Sequence, residues 1–435
     1  MEEQQVVEQV RCLGGFEYVK LAEKAAKGDE FAAEAAHEMA WEQLHCGPWH
    51  DVDHAWRDAY ALSCLRLAAH RIHDALRLLD MGLLMGGPLL KPHLQSAIAE
   101  LHIEHQQHQQ QRELPGENVL RSERLHDPSL AERDINPSAH VFNSIVECGT
   151  VKCNEAVSSM VCLRSEHQNK LQAATSCNRL SQVQDITLPH GSLSHEIVCK
   201  KSLISMEDFL CNHFISDLPV IITDAITHWP AMDRWKDLDY FKSTFGHRTV
   251  PVEVGEHYLA SGWKQELMSM DELIQRFESS TGCPSERPYL AQHPLFEQIP
   301  ELREDIVIPD YCVATGGEIK AVNAWFGPSG TVTPLHHDPH HNLLTQVVGK
   351  KYVRLYNPAE SCGLYPFSES MLSNSSQIDL DNPDYVKFPL AEQLPYMDCI
   401  LEQGEMLYIP PKWWHYVKSL TLSFSVSFWW SAMEE

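Results

Sequence analysis

Basic residues are scarce in this chain: Lys and Arg number 34 against 60 Asp and Glu, a formal net charge of −26. A protein that grips a nucleic-acid backbone must neutralise phosphates with Lys and Arg, so direct nucleic-acid binding is not expected. The same imbalance suits a basic polypeptide partner through complementary potentials, although acidity also serves solubility alone. No cluster of Lys and Arg resembles a nuclear import signal. Long apolar runs are missing as well: nothing approaches the roughly eighteen residues a membrane span requires, and no membrane association is expected. The first residues, "MEEQQVVEQV", are acidic and polar, unlike a secretory leader. The 13 cysteines include no CxxC pair, which fits reduced thiols and an expected location in nucleus and cytoplasm. Cys148 and Cys153 in "CGTVKC" have the wrong spacing and no second half for a zinc site. HExxH is absent, as are carboxylate-rich dinuclear patterns, which argues against a zinc hydrolase.

What is present divides the chain into three textures. Residues 1–103 read as helical: "DEFAAEAAHEMAWEQL" is rich in Ala, Glu and Leu with apolar residues at three-to-four spacing. "HAWRDAYALSCLRLAAHRIHDALRLLDMGLLMGG" reads as two amphipathic helices meeting near His70 to His73 and stopped by Gly86, Gly87 and Pro88. That pair is similar to a tetratricopeptide unit, without a clear second copy. An all-α domain that binds a protein partner, or serves as a structural cap, is expected there. Residues 104–187, beginning "EHQQHQQQRELPGEN", are polar and weakly periodic and read as a partly flexible linker. From 188 to 435, short runs such as "PVIITDA", "TVPVEVG", "YVRLYNP", "EMLYIPP" and "LTLSFSVSFWW" alternate with turn residues. They predict an antiparallel β-sandwich or barrel, decorated by helices such as "MDELIQRFESS".

The stretch "TVTPLHHDPHHNLL" packs four histidines and an aspartate into six positions. Alternation along a strand points His336 and Asp338 to one side and His337 to the other. One imidazole and one carboxylate on a face form two corners of a 2-His-1-carboxylate triad, which leaves one side of an Fe(II) octahedron open. The other members of the cluster, His337, His340 and His341, remain as alternatives to His336, since Pro339 breaks the strand phasing. The third corner falls to His415 in "GEMLYIPPKWWHYV", whose Gly, Pro and His spacing is close to the second cupin motif. Lys412 and Ser419 stand where that motif commonly has Gly and Asn. A triad of this kind needs a bound 2-oxo acid, whose distal carboxylate wants a cation and hydroxyls. Lys351 on the strand "KKYVRLY" supplies the cation, with Lys350 alternating to the other face. Thr333 offers a hydroxyl and Asn342 an amide.

These blocks, with "NAWFGPSG", "SFSVSFWW", "PVIITDAITHWP" and "YLAQHPLFEQIPELREDIVIPDYC", resemble the JmjC oxygenases over about residues 200–432. The likeness is greatest to the JmjC-only subfamily of lysine-specific demethylase 8, or arginyl hydroxylase, and to its plant members, whose N-terminal segment "AAEAAHEMAWEQLHCGPWH" also resembles. The resemblance implies an N-terminal all-α helical domain followed by a double-stranded β-helix that uses Fe(II), 2-oxoglutarate and O2. It implies His336, Asp338 and His415 as catalytic iron ligands. Tyr289, Thr333, Asn342 and Lys351 would bind 2-oxoglutarate with Trp429 nearby, and Glu253, Trp263 and Trp325 would line a channel for the protein substrate. A carboxylate with aromatic faces suits a cationic side chain; the tryptophans serve equally well as core. Histone lysine demethylation, arginyl hydroxylation and a role in gene regulation and the circadian clock are the implied functions. A catalytically inactive cupin scaffold acting through its helical domain is the alternative.

Overall fold

The computed structural model describes residues 1–113 and 186–435, apart from 195, 280–282, 315, 369–370 and 433–435, and of residues 104–113 only the backbone. Most of the expected linker, with Cys148 and Cys153, lies outside the described residues. The chain divides into two compact units, Met1–Gln172 and Ala173–Glu435. Among the described residues no helix is long and apolar enough to cross a membrane.

The first unit holds α1 (Glu2–Cys12), α2 (Phe16–Ala25), α3 (Glu30–Leu44), α4 (His54–Ala68), α5 (Ala75–Met85) and α6 (Lys91–Glu113). Short polar side chains start two of them: Asp29 accepts from Ala32 N at 3.1 Å and Asp53 from Ala55 N at 2.8 Å, each satisfying a donor the helix leaves free. The break between α4 and α5 falls at His70–Asp74, as the pattern predicts. One expectation needs correction: α4 is not amphipathic. From Ala59 to Ala68 only Arg66 escapes full burial, because α1, α3, α5 and α6 all pack around this helix. Its residues are small or apolar on every side, which is how a helix at the centre of a bundle must read. Tyr18 on α2 adds a tertiary bond, its hydroxyl donating to Ala59 O at 2.7 Å.

In the second unit the chain is tied down from Thr187, whose carbonyl accepts from Lys418 Nζ at 2.9 Å. Its strands are β1 (Glu196–Ile197), β2 (Lys200–Ser202), β3 (Val220–Thr223), β4 (Thr249–Val254), β5 (Lys264–Ser269), β6 (Pro288–His293) and β7 (Glu318–Gly327). Then follow β8 (Val332–His337), β9 (His341–Val348), β10 (Lys351–Tyr356), β11 (Met397–Leu401), β12 (Met406–Ile409), β13 (Trp414–Ser419) and β14 (Ser423–Ser431). They form a five-stranded sheet, β1-β11-β10-β13-β8, and a nine-stranded sheet, β2-β3-β12-β9-β14-β7-β6-β4-β5. Val353, Leu355, Leu344, Leu407 and Ile409 belong to one buried cluster, from facing strands of the two sheets. A larger aromatic cluster, including Trp235, Phe241, Phe326 and Phe424, seats decorating helices on the nine-stranded sheet. The architecture is the expected sandwich with helical decoration, and "MDELIQRFESS" forms the helix Met270–Ser279.

Lys412 sits in the Pro-Pro turn before β13 with φ +66°, in the left-handed region that glycine favours. This explains why the related motif commonly carries Gly there. The turn matters for the site, because Lys412 N donates to Asp338 O at 2.8 Å. Lys412→Gly is expected to raise stability by about 0.5–1 kcal/mol, the difference between the left-handed cost of an L-residue and the chain entropy of glycine. Thermal melts of the two proteins check it.

Candidate metal centre

The centre is made where two neighbouring strands of the smaller sheet meet. In the β8–β13 register His336 stands directly opposite His415, and their ring centroids are 4.1 Å apart. Asp338 follows β8 immediately. Its Oδ2 lies 3.6 Å from His415 Nε2 and its Oδ1 3.9 Å from His336 Nε2. One ligand atom from each of the three residues lies within 4.8 Å of the others, and among the described residues this is the single group of that kind. All three side chains are buried.

Both imidazoles are oriented by the backbone. His336 Nδ1 donates to Pro334 O at 2.8 Å and His415 Nδ1 to Trp413 O at 3.0 Å. A carbonyl has no proton to give, so each Nδ1 carries the hydrogen and each Nε2 keeps its lone pair for a metal. Burial, with the neighbouring His336, holds His415 down to about 4, so it stays neutral at physiological pH. The donor set therefore fits a divalent cation that accepts nitrogen and carboxylate ligands.

The rest of the histidine cluster is turned to other tasks. His337 packs edge-on against Trp414, at 4.6 Å between centroids. His341 stacks among Phe214, Tyr408 and Trp430, and its Nδ1 meets Tyr408 Oη at 2.9 Å. His340 lies 6.0 Å from the Trp429 ring. The strand phasing that favoured His336 is the arrangement found.

Beside the triad lies a pocket lined by Tyr289, Thr333, Asn342, Lys351 and Ser427 among others. The two lysines part at the start of β10: Lys350, in the turn before the strand, is half-exposed and pairs with Glu402 at 2.6 Å, while Lys351, its first residue, is 1% exposed. Among the described residues Lys351 Nζ donates to Tyr289 Oη alone, at 3.2 Å. Burial lowers its pKa to about 7, and among the described residues no carboxylate compensates for the lost hydration. Asn342 Oδ1 and Trp429 Nε1 are buried without partners. A buried cation beside two hydroxyls fits a bound dicarboxylate such as 2-oxoglutarate, and Trp429, whose Nε1 is without an acceptor, lines the adjoining outer cleft.

An outer cleft of about 450 Å³ opens over the triad, lined by Glu253, Tyr258, Gln292, Trp325, Asn374 and Ser375 among others. Glu253 on β4 pairs in register with Tyr289 on β6. Burial raises its pKa; Trp263 Nε1 leans toward the carboxylate and partly opposes this without completing a hydrogen bond. Trp325 is fixed by donating Nε1 to Ser427 Oγ at 2.8 Å. Sequence reasoning missed Tyr258 and Ser375, whose hydroxyls meet at 3.0 Å across the cleft wall. It also missed Gln292, which has φ +47° beside a bulge in the β6–β7 pairing. Tyr258, five residues past Glu253 in "EVGEHY", could have been noticed; nothing in "SNSSQ" marks Ser375.

Residues 206–435 match the family described as cupin-like domain, and residues 1–114 the one described as KDM8-like, N-terminal ARM repeats. The second description stands where the sequence suggested a tetratricopeptide unit. The chain is 47% identical to lysine-specific demethylase JMJ30 of Arabidopsis thaliana over 99% of its own length and 92% of that protein's. It is 39% identical to lysine-specific demethylase 8 of Xenopus tropicalis, over 91% and 87% respectively. To Jumonji C domain-containing protein 5 of Drosophila melanogaster it is 42% identical, over 52% and 58%.

Proposed function

Because this chain belongs to the JmjC cupin-like oxygenases of the lysine-specific demethylase 8 type, which are 2-oxoglutarate-dependent dioxygenases, we propose that it demethylates lysine in histones or other basic proteins. The observation that carries the reading is the buried His336–Asp338–His415 group beside a buried, uncompensated Lys351. In this reading His336 and His415 hold Fe(II) through Nε2 and Asp338 through a carboxylate oxygen. Lys351, Tyr289 and Thr333 hold the distal carboxylate of 2-oxoglutarate, with Asn342 and Trp429 beside it. The bound iron, with 2-oxoglutarate and O2, supplies an oxidant for an unactivated C–H bond, the oxo acid leaving as succinate and carbon dioxide.

The chain's own contribution is binding, orientation and exclusion of water. The carbonyls of Pro334 and Trp413 keep both imidazoles in the ligating tautomer. The Lys351 ammonium meets a carboxylate in a site closed to solvent, where the pairing is worth far more than at a surface. Glu253, Trp263 and Trp325 receive the cationic end of the substrate and set which C–H faces the metal. Oxygen inserted at an N-methyl carbon gives a hemiaminal, whose C–N bond breaks to release formaldehyde and the amine. At an ordinary carbon the product is a stable alcohol.

Arginyl hydroxylation is a second reading of the same site, favoured by Glu253: a largely buried carboxylate held only by an incomplete approach from Trp263 suits a guanidinium. We propose with it a gene-regulatory role, circadian control included, and a location in nucleus and cytoplasm; a histone substrate would support the nuclear part. Fe(II)-loaded protein incubated with 2-oxoglutarate, oxygen and a panel of methyl-lysine and arginine peptides, read by mass spectrometry, separates these. Loss of methyl groups with formaldehyde is the expected result, gain of one oxygen selects the hydroxylase, and no mass change with no succinate rejects both. Glu253→Gln is expected to weaken arginine peptides roughly 10–100-fold, the range for a hydrogen bond to a charged group. A trimethyl-lysine peptide, with no N–H to donate, loses less.

A further inference from the structure

One wall of the outer cleft is built from a segment tied to a strand of the metal centre. Residues 374–376 run along the outer edge of β8, the last strand of the smaller sheet. Asn374 O accepts from His337 N at 2.9 Å, and Asn374 Nδ2 donates to His337 O at 3.1 Å. Ser376 N donates to Leu335 O at 2.8 Å. Ser375 is thereby fixed opposite His336, and it is 2% exposed. Its hydroxyl meets Tyr258 Oη at 3.0 Å, and among the described residues that is its one side-chain hydrogen bond.

Either hydroxyl could give the proton, and burial decides between them. Were Tyr258 the donor, the Ser375 proton would be left in a closed place without an acceptor, which is costly. Ser375 therefore donates to Tyr258 Oη. The Tyr258 proton is then left over, on a side chain that lines the cleft together with Glu253, Asp338 and Trp325. Burial raises the Tyr258 pKa, so the hydroxyl keeps that proton. Glu253 and Asp338 act on Tyr258 as charges and take no hydrogen bond from it.

We infer that Tyr258 donates this proton to a main-chain carbonyl of the substrate polypeptide, and so positions the residue that enters the cleft. The inference rests on the reading of the cleft as the substrate site of a protein oxygenase. The acceptor is not the target side chain: an ammonium or guanidinium carries donors only, and a trimethylated ammonium carries neither donor nor acceptor. A carbonyl is the neutral acceptor that every residue of a polypeptide brings. Because Ser375 is tied to the strand that carries His336, the Tyr258 hydroxyl has a set place relative to the metal ligands. A carbonyl anchored there limits how far the side chain reaches toward the metal. The contact thereby favours a residue within a chain over a free amine of the same charge.

The test reads binding, which keeps it apart from turnover. Full-length protein loaded with Fe(II) and 2-oxoglutarate is held under nitrogen and titrated by calorimetry. The titrants are the tightest-binding methyl-lysine and arginine peptides of the panel. Each is also made with a single thioamide at the target residue or at either neighbour, since sulfur is a poor acceptor. At one of these positions the thioamide is expected to weaken wild-type binding about three- to tenfold, as for one hydrogen bond. Tyr258→Phe is expected to bind the all-oxygen peptide more weakly by the same factor, and to respond to that thioamide by less than about twofold. It also strands the Ser375 hydroxyl, so its melting temperature should fall. Adding Ser375→Ala should restore the melt and not the affinity. Thioamide effects of equal size in wild type and Tyr258→Phe at every position would overturn the contact. So would recovered affinity in the double variant, or failure of every peptide to bind. Peptides that show the coupling but neither lose methyl groups nor gain oxygen in air would sink the proposed reaction and leave the contact standing.

Discussion

His336→Ala will leave the protein folded and nearly free of iron, with succinate formation reduced by roughly a hundredfold or more. Losing even an outer partner of a metal ligand costs about 10–100-fold in affinity or activity, and this change removes a ligand itself. The two donors that remain, Asp338 Oδ2 and His415 Nε2, stand 3.6 Å apart and cannot by themselves define a facial site. The fold should survive, because the imidazole's one internal bond is to the local Pro334 carbonyl and β8 is held by its ladder to β13. Iron content after anaerobic loading, succinate yield and a thermal melt give the result. His337→Ala is the matched control. Its ring touches Trp414, so it should lose some stability and keep its iron. Stoichiometric iron and normal succinate in His336→Ala would refute the proposed ligand set.

The second large effect concerns Lys351. Lys351→Met replaces a buried ammonium by an apolar side chain of similar length, and should weaken 2-oxoglutarate roughly 10–100-fold, as expected for loss of a charge-assisted bond. The free protein should be more stable for the change, and the gain should depend on pH. The folded-state pKa is about 7, below the ordinary lysine value of about 10.4. Below pH 7 the folded wild type must hold the charged ammonium in a dry site, so the cost is complete there. As pH rises from 7 toward 10 the folded protein sheds the proton while the unfolded chain keeps it, and wild-type stability recovers. The variant's advantage should therefore be larger at pH 6 than at pH 9. Binding runs the opposite way. The carboxylate wants the ammonium, so wild-type affinity for 2-oxoglutarate should be flat below pH 7 and fall by up to about tenfold per unit above it. Calorimetry across pH 6–9, in buffers of different ionisation enthalpy, would show about one proton taken up per ligand near pH 8. A pH-independent affinity would mean that Lys351 is charged throughout and paired with something else.

Alternation along single strands made much of the site legible before any fold was known. The same rule assigned His336 and Asp338 to one side, His337 to the other, and Lys351 rather than Lys350 to the interior, and each is positioned that way. It works because successive side chains of a strand point to opposite sides whatever covers them, and here both sides of β8 and β10 are largely buried. Where the backbone leaves the strand, the rule loses its force. Gln292 reaches the cleft through a bulge, and Tyr258 and Ser375, 117 residues apart, are joined only by the folding of two loops. Neither contact has a period that a sequence could display.

The helical unit divides in the same way. Its helical texture and its break at His70–Asp74 were written in the local sequence, because propensity and turns depend on neighbours a few residues away. That α4 is enclosed on all sides depended on what packs against it. The sequence by itself marked the helical and β-rich textures, the strand side shared by His336 and Asp338, and Lys351 as the inward lysine, while the meeting of His415 with that pair is a fact of the packed strands. Only the tertiary structure decided how the substrate cleft is walled, since that place is made by side chains that meet only when distant segments pack.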